Sequence, residues 1–171
     1  MQWVIVGLGN PGEQYAHTRH NAGRIAVEYF MRTSDTDAAI IIPDTYMNNS
    51  GKAVQDVKDA AHLIVVHDDV DIPLGRIRIA VDRGSGGHKG VESIIKTLKT
   101  KKFIRVRIGI APTNIFGKMR KPPSGQRMQD FVLGQFSRKE QETLEHVVKK
   151  THDALNHILS QGVASAMNVF N

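Results

Sequence analysis

The sequence predicts an α/β fold, one domain with a central mixed β-sheet and helices on both faces. Three observations lead there. Short apolar runs bounded by turn residues alternate with stretches whose apolar side chains recur every three or four positions. A length of 171 residues is that of one ordinary domain, enough to bury a core, so residues 1–171 are expected to fold as a unit. The chain has no Cys, so disulfides and thiolate-bound metals are excluded as its staples, and a thiol nucleophile is excluded from its chemistry.

The elements follow in order. Residues 2–6 form a short apolar run ending at Gly7 and read as a buried strand; the basic leader and small-residue cleavage site of an export signal are lacking. Ala22, Ile25, Ala26, Tyr29 and Phe30 place one apolar face on a helix over 22–32. Ala39 to Ile42 is a second strand, stopped by Pro43, and a helix is expected from about Ser50 to Ala60. Leu63 to Val66 is a third strand running into His67-Asp68-Asp69, and Arg76 to Ile79 alternates as a strand with one wet face. Gly84-Ser85-Gly86-Gly87 leads into a helix from about Val91 to Leu98. Ile104 to Ile110 alternates again, with Arg105 and Arg107 on one face and Ile104, Val106 and Ile108 on the other. Residues 112–127 hold three of the six prolines and read as a mobile loop. Ser137 then caps a long helix to about Ser160, with Leu144, Val147, Val148, Leu155, Ile158 and Leu159 as its stripe. No apolar run approaches the roughly 18 residues of a membrane span, which with the cysteine-free composition fits a cytoplasmic protein.

The formal net charge of +6 is unevenly spread. Ten cations and no acid lie between Lys96 and Arg127, leaving 13 cations against 17 acids elsewhere. A polyphosphate partner such as nucleic acid would produce that asymmetry, and so would a basic face that only aids solubility.

Four short segments carry candidate chemistry. Gly7-Leu8-Gly9-Asn10-Pro11-Gly12 has the glycine spacing of dinucleotide folds, but helical periodicity resumes only at Ala22, so the helix N-terminus that would hold a pyrophosphate is missing. A tight loop presenting Asn10 to a crevice is the better reading. His20 sits close behind that loop, at the start of the first helix. His67-Asp68-Asp69-Val70-Asp71 lies at the carboxyl end of a strand, where α/β sheets place their chemistry. A carboxylate there can hold a histidine in its active tautomer; an acidic turn, or a divalent-metal site using Asp68, Asp69 and Asp71, are the other readings. Thr45-Tyr46-Met47-Asn48-Asn49-Ser50-Gly51 resembles ordinary capping chemistry. Gly84 to Gly90 lets backbone approach an anion at a helix start, but lacks the Gly-Lys-Ser/Thr ending of a phosphate loop.

Together these segments resemble the bacterial-type peptidyl-tRNA hydrolase family. The likeness rests on Gly7 to Gly12, Tyr15 with Thr18-Arg19-His20-Asn21-Ala22-Gly23, Thr45-Tyr46-Met47-Asn48 with Ser50 to Val54, His67-Asp68-Asp69 with Asp71-Ile72-Pro73, and Gly86-Gly87-His88. Arg105 to Ile110 and Phe131 to Gly134 continue it. It implies a monomeric, cofactor-free and metal-free α/β enzyme that hydrolyses the ester between a peptide and the 3′ ribose of tRNA. Carried over, His20 is the base that activates water, Asp68 its orienting carboxylate, and Asn10 the amide that positions carbonyl and water. Tyr15, Met47 and Asn48 would contact the 3′ end and peptide. Arg107 and Arg78 would meet tRNA phosphate, with the basic segment on the acceptor stem.

Two departures stand out. The family usually has Asn where this chain has Lys89, which keeps a donor, loses the acceptor and adds a charge that could touch phosphate. The stretch between the first helix and Thr45 is also shorter by some twenty residues, which implies a smaller sheet edge or a trimmed cleft wall. A non-catalytic RNA-binding relative of the same fold is the alternative these departures raise.

Overall fold

A computed structural model describes residues 2–114, 116, 118–120 and 124–171. Among them β1 (Val4–Gly7), β2 (Ala39–Ile41), β3 (Leu63–Pro73), β4 (Ile77–Val81) and β5 (Ile104–Ala111) form one sheet in the order β2-β1-β3-β5-β4. All are parallel except β4, which pairs antiparallel with β5. The helices are α1 (Ala22–Thr33), α2 (Lys89–Leu98), α3 (Gln126–Leu133), α4 (Arg138–Gln161) and α5 (Val163–Phe170).

Alternation along each strand feeds two cores. Ile5, Ile64, Val66, Val106 and Ile108 turn toward α1, α4 and α5, packing on Ala26, Phe30, Val148, Leu155 and Ala166. Val6, Leu63 and Val65 turn the other way, onto Met47, Val54, Val91, Ile94 and Phe103. With both faces covered, the central strands are apolar nearly throughout. Ser137 caps α4 as expected: its hydroxyl accepts from the Glu140 N–H, and the Glu140 carboxylate accepts from the Ser137 N–H.

Several expectations needed correction. Instead of an α-helix over 50–60, Met47–Val54 forms 3₁₀ turns, because Gly51 lies against α2, its N–H bonded to Ser93 Oγ. The helix expected from Val91 begins at Lys89, two residues early, because the His88 imidazole caps it. The alternation in β5 is as read, but the Arg face is not wet: Arg105 is 1% exposed and Arg107 8%. β5 lies inside the sheet, so Arg105 turns its guanidinium to the carbonyl oxygens of Arg83 and Gly84. The loop expected over 112–127 ends at Gly125; of that segment, 115, 117 and 121–123 fall outside the described residues. Helices α3 and α5 were not anticipated, α3 because it has no buried residue to print a stripe.

The site is placed by a mismatch of strand lengths. β1 pairs with β3 only as far as Gly7 opposite Val66. β3 continues past that point with β5 as its remaining neighbour, so His67, Asp68 and Asp69 stand at a crevice at the carboxyl end of β1. The start of α1 descends into this crevice because Gly23 has no side chain; a Cβ there would strike the Val66 carbonyl. We expect Gly23→Ala to cost about 2–3 kcal/mol of stability, read as a lower urea midpoint with the slope unchanged.

Candidate active site

Asp68 is the centre of the site. It is 2% exposed, and both of its oxygens lie within hydrogen-bond reach of His20 Nδ1, at 2.9 and 3.0 Å. His88 Nε2 lies 2.8 Å from Oδ1. The tautomers follow from the other ring atoms. His88 Nδ1 accepts the N–H groups of Gly90 and Val91 at the start of α2, so its proton sits on Nε2 and is donated to Asp68. His20 likewise donates Nδ1–H to the carboxylate, leaving its Nε2 lone pair for the cleft.

Burial pushes the Asp68 pKa up, but the paired His20 and His88 overcome it and hold the carboxyl well below the usual carboxylate range. Burial alone would lower the His20 pKa; the charge and hydrogen bond of Asp68 outweigh it and raise the value above 6.5. His67 stands behind, 2% exposed, donating Nδ1–H to the Asp68 carbonyl oxygen at 2.7 Å. Burial and neighbouring His88 keep it neutral.

His20 and Asp68 open onto a cleft of about 530 Å³, lined also by His88, Lys89, the Ser85–Gly87 loop, and Met128, Val132 and Leu133 of α3. Arg19, the residue before His20, secures that apolar wall: its guanidinium bonds the Phe131 carbonyl and both Glu140 oxygens, and stacks 4.6 Å from the Phe131 ring. Glu140 thereby ties α4, α3 and the His20 turn together.

The remaining expected residues divide. Asn10 is tied to the residue that follows His20, for the Asn21 carboxamide bonds both its N–H and its carbonyl. Its side-chain oxygen accepts the Met47 N–H at 2.8 Å, which turns the amide nitrogen outward. It lines a smaller neighbouring pocket of about 280 Å³, with Gly12, Ala16 and Arg24, rather than the His20 cleft. Met47 does not line the cleft; its side chain is 4% exposed and belongs to the core against α2. Tyr15 stands edge-on to exposed Tyr46 at 6.3 Å, and Asn48 is exposed on the following turn. Neither lines the cleft. Lys89 does; its ammonium lies 3.5 Å from Glu92 and is largely exposed.

Arg107, where a phosphate contact is expected, is 8% exposed, and its Nε donates to Asp69 at 2.7 Å. Arg78, opposite it in the register on edge strand β4, is the exposed member of the pair. Asp69 also accepts the Asp71 N–H, so the three aspartates do not converge as a metal site. The group that could is His20, Asp68 and His88, whose ligand atoms lie within 4.8 Å of one another. Two hydrogen bonds account for that spacing, and a cation would have to displace both imidazole protons.

His88 is the functional residue that sequence reasoning missed. Its Gly-Gly-His context before a helix marks it as a cap, but nothing local announces its bond to an aspartate twenty positions away.

Comparisons with known proteins place the chain as a whole. The family model described as peptidyl-tRNA hydrolase matches residues 4–171. A protein of that name from Thermodesulfovibrio yellowstonii is 40% identical over 193 residues, covering 98% of both chains. One from Pseudothermotoga lettingae is 38% identical over 188 residues, covering 98% of this chain and 96% of the relative. Both alignments exceed the 171 residues present here, so each relative carries residues without a counterpart. The crystal structure of peptidyl-tRNA hydrolase from Acinetobacter baumannii superposes with a TM-score of 0.84 at 30% identity, covering 99% of this chain and 94% of that one. With the His20–Asp68–His88 arrangement in place and the match running nearly from end to end, the chain belongs to the peptidyl-tRNA hydrolase family.

Proposed function

We propose that this protein hydrolyses the ester between a peptide and the 3′ ribose of tRNA, releasing tRNA from abandoned translation. The observation that carries the reading is the buried Asp68 shared by two imidazole N–H groups, with the His20 Nε2 lone pair left facing the cleft. His20 takes a proton from water as the water attacks the ester carbonyl, and Asp68 stabilises the imidazolium that forms. The proton then passes to the departing ribose oxygen. A base so positioned supplies about 10²–10⁴-fold. The outward amide of Asn10, held by Asn21 and Met47, is the donor for the developing oxyanion once substrate bridges the two pockets, and such a donor adds roughly 10²–10³-fold.

Recognition of the acceptor stem rests on phosphate rather than base contacts, so one enzyme serves many tRNAs. Arg78 and Lys89 are exposed cations, Lys89 on the cleft itself, while Arg107 also holds Asp69. Tyr15 and Asn48 border the substrate path beside Asn10. The reading treats residues 1–171 as one domain acting as a cytoplasmic monomer without a metal or cofactor.

His20→Ala is expected to abolish peptide release from peptidyl-tRNA, and equal rates for variant and wild type would overturn the mechanism. In the wild type, kcat/KM should rise with pH through a limb centred above 6.5 and level off once His20 is neutral. Asp68→Asn removes the charge that raises this pKa, so the limb moves to lower pH while the plateau falls about 10²–10⁴-fold. Activity should survive excess chelator, since the site atoms are engaged with one another; loss on chelation and recovery with a divalent ion would indicate a metal enzyme. Because the Lys89 ammonium is paired to Glu92 and mobile on its stem, Lys89→Asn is expected to turn over at the wild-type rate or faster. A large loss would give Lys89 an essential task of its own.

A further inference from the structure

The segment after β5 is organised around a side chain that the reaction does not use. Thr113 and Met119 form an antiparallel bridge, and backbone bonds join Asn114 to Lys118 and Arg120 to Pro112. The Asn114 carboxamide oxygen accepts the N–H groups of both Phe116 and Lys118, at 3.0 and 2.9 Å. This turn holds Phe116 at 86% exposure, the highest of the large hydrophobic side chains among the described residues. Lys118 and Arg120 are exposed beside it, and no acid occurs in the sequence between Lys96 and Arg127.

We propose that Phe116 is the tip of an RNA-contacting finger that stacks on an unpaired base near the 3′ end of the tRNA, with Lys118 and Arg120 on the adjoining phosphates. The inference rests on the tRNA substrate proposed above and adds a contact outside the cleft. Its position fits: the finger leaves the carboxyl end of β5, the sheet edge that holds Asp68, and the chain then returns through Ser124 and Gly125, which line the cleft. An RNA strand with its last ribose beside His20 brings its preceding nucleotides past this edge. The chemistry fits as well. A single aromatic face flanked by cations binds single-stranded nucleic acid without base preference, since every base has a π-face. Ile115 and Gly117 adjoin Phe116 in the sequence and Met119 is 40% exposed, so what favours RNA over a protein partner is the charge: Lys118 and Arg120 are exposed and no acid occurs between Lys96 and Arg127.

The test compares wild type, Phe116→Ala and Phe116→Trp on two substrates, full-length peptidyl-tRNA and the same peptide esterified to adenosine alone. Phe116→Ala should raise KM on full-length substrate on the order of tenfold, the loss of one stacked base, with kcat unchanged. Phe116→Trp should restore the wild-type KM, and all three proteins should treat the adenosine ester alike. An unchanged KM for Phe116→Ala, or an equal rise on both substrates, overturns the finger. The Trp variant gives a readout that needs no turnover: uncharged tRNA should quench its fluorescence beyond the change in wild type, whose single Trp3 stacks on His62. No added quenching overturns the finger. Failure of the wild type to hydrolyse either ester overturns only the hydrolase reading, and the titration still decides this one.

Discussion

Burying Asp68 as a carboxylate is costly unless its oxygens are bonded, and the surrounding chain is arranged to bond them. One imidazole arrives from the turn before α1, a second from the cap of α2, and the backbone carbonyl of the same residue is taken by His67. Each of these donors is itself fixed by something structural. Two backbone N–H groups of α2 set the His88 tautomer, and the absence of a side chain at Gly23 sets how closely the His20 turn can approach β3. The ionised state of Asp68 and the basicity of His20 are therefore consequences of packing. Losing either imidazole would leave a buried charge short of a partner.

The same economy governs the other side of the cleft. Arg19 follows Thr18 out of the strand-like bridge to Gln135 and spends its guanidinium on Phe131 and Glu140. Glu140 also closes the capping box of α4. The His20 turn, the apolar wall of α3 and the start of α4 thus meet at the Arg19 guanidinium. Helix α3, which fully buries none of its own residues, is held to the body through this junction and through Phe131 and Val132, packed partly buried on the main core.

The positive charge that stands out along the chain is divided by the fold into two uses. Arg105 and Arg107 lie on an interior strand, where solvation is lost, and each is bonded locally, one to backbone carbonyl oxygens and one to the Asp69 carboxylate. Lys96, Lys99, Lys102, Lys118, Arg120 and Arg127 remain exposed, and it is these that can exchange counterions with an RNA backbone.

Much of this was legible in the chain. The apolar runs at 2–6, 39–42, 63–66 and 104–110, the stripe of α1 and the Ser137 cap are local patterns, because side-chain period and capping depend on residues within one turn or a few positions. His20 and Asp68 could be singled out at the start of a helix and the end of an apolar run, and the family resemblance paired them; Asn10, named with them, lines the neighbouring pocket. Local pattern could not decide the dryness of the Arg105 face, the withdrawal of Met47 into the core, the 3₁₀ path of 47–54 or the partnership of His88 with Asp68. Those depend on which strand lies inside the sheet, how closely α2 packs on Gly51, and where two segments far apart in the chain come to rest. Sequence by itself determined most of the strands, the helices α1, α2 and α4, and their order; tertiary structure decided which polar groups lost their water and had to find one another, because desolvation is a property of position in the packed molecule.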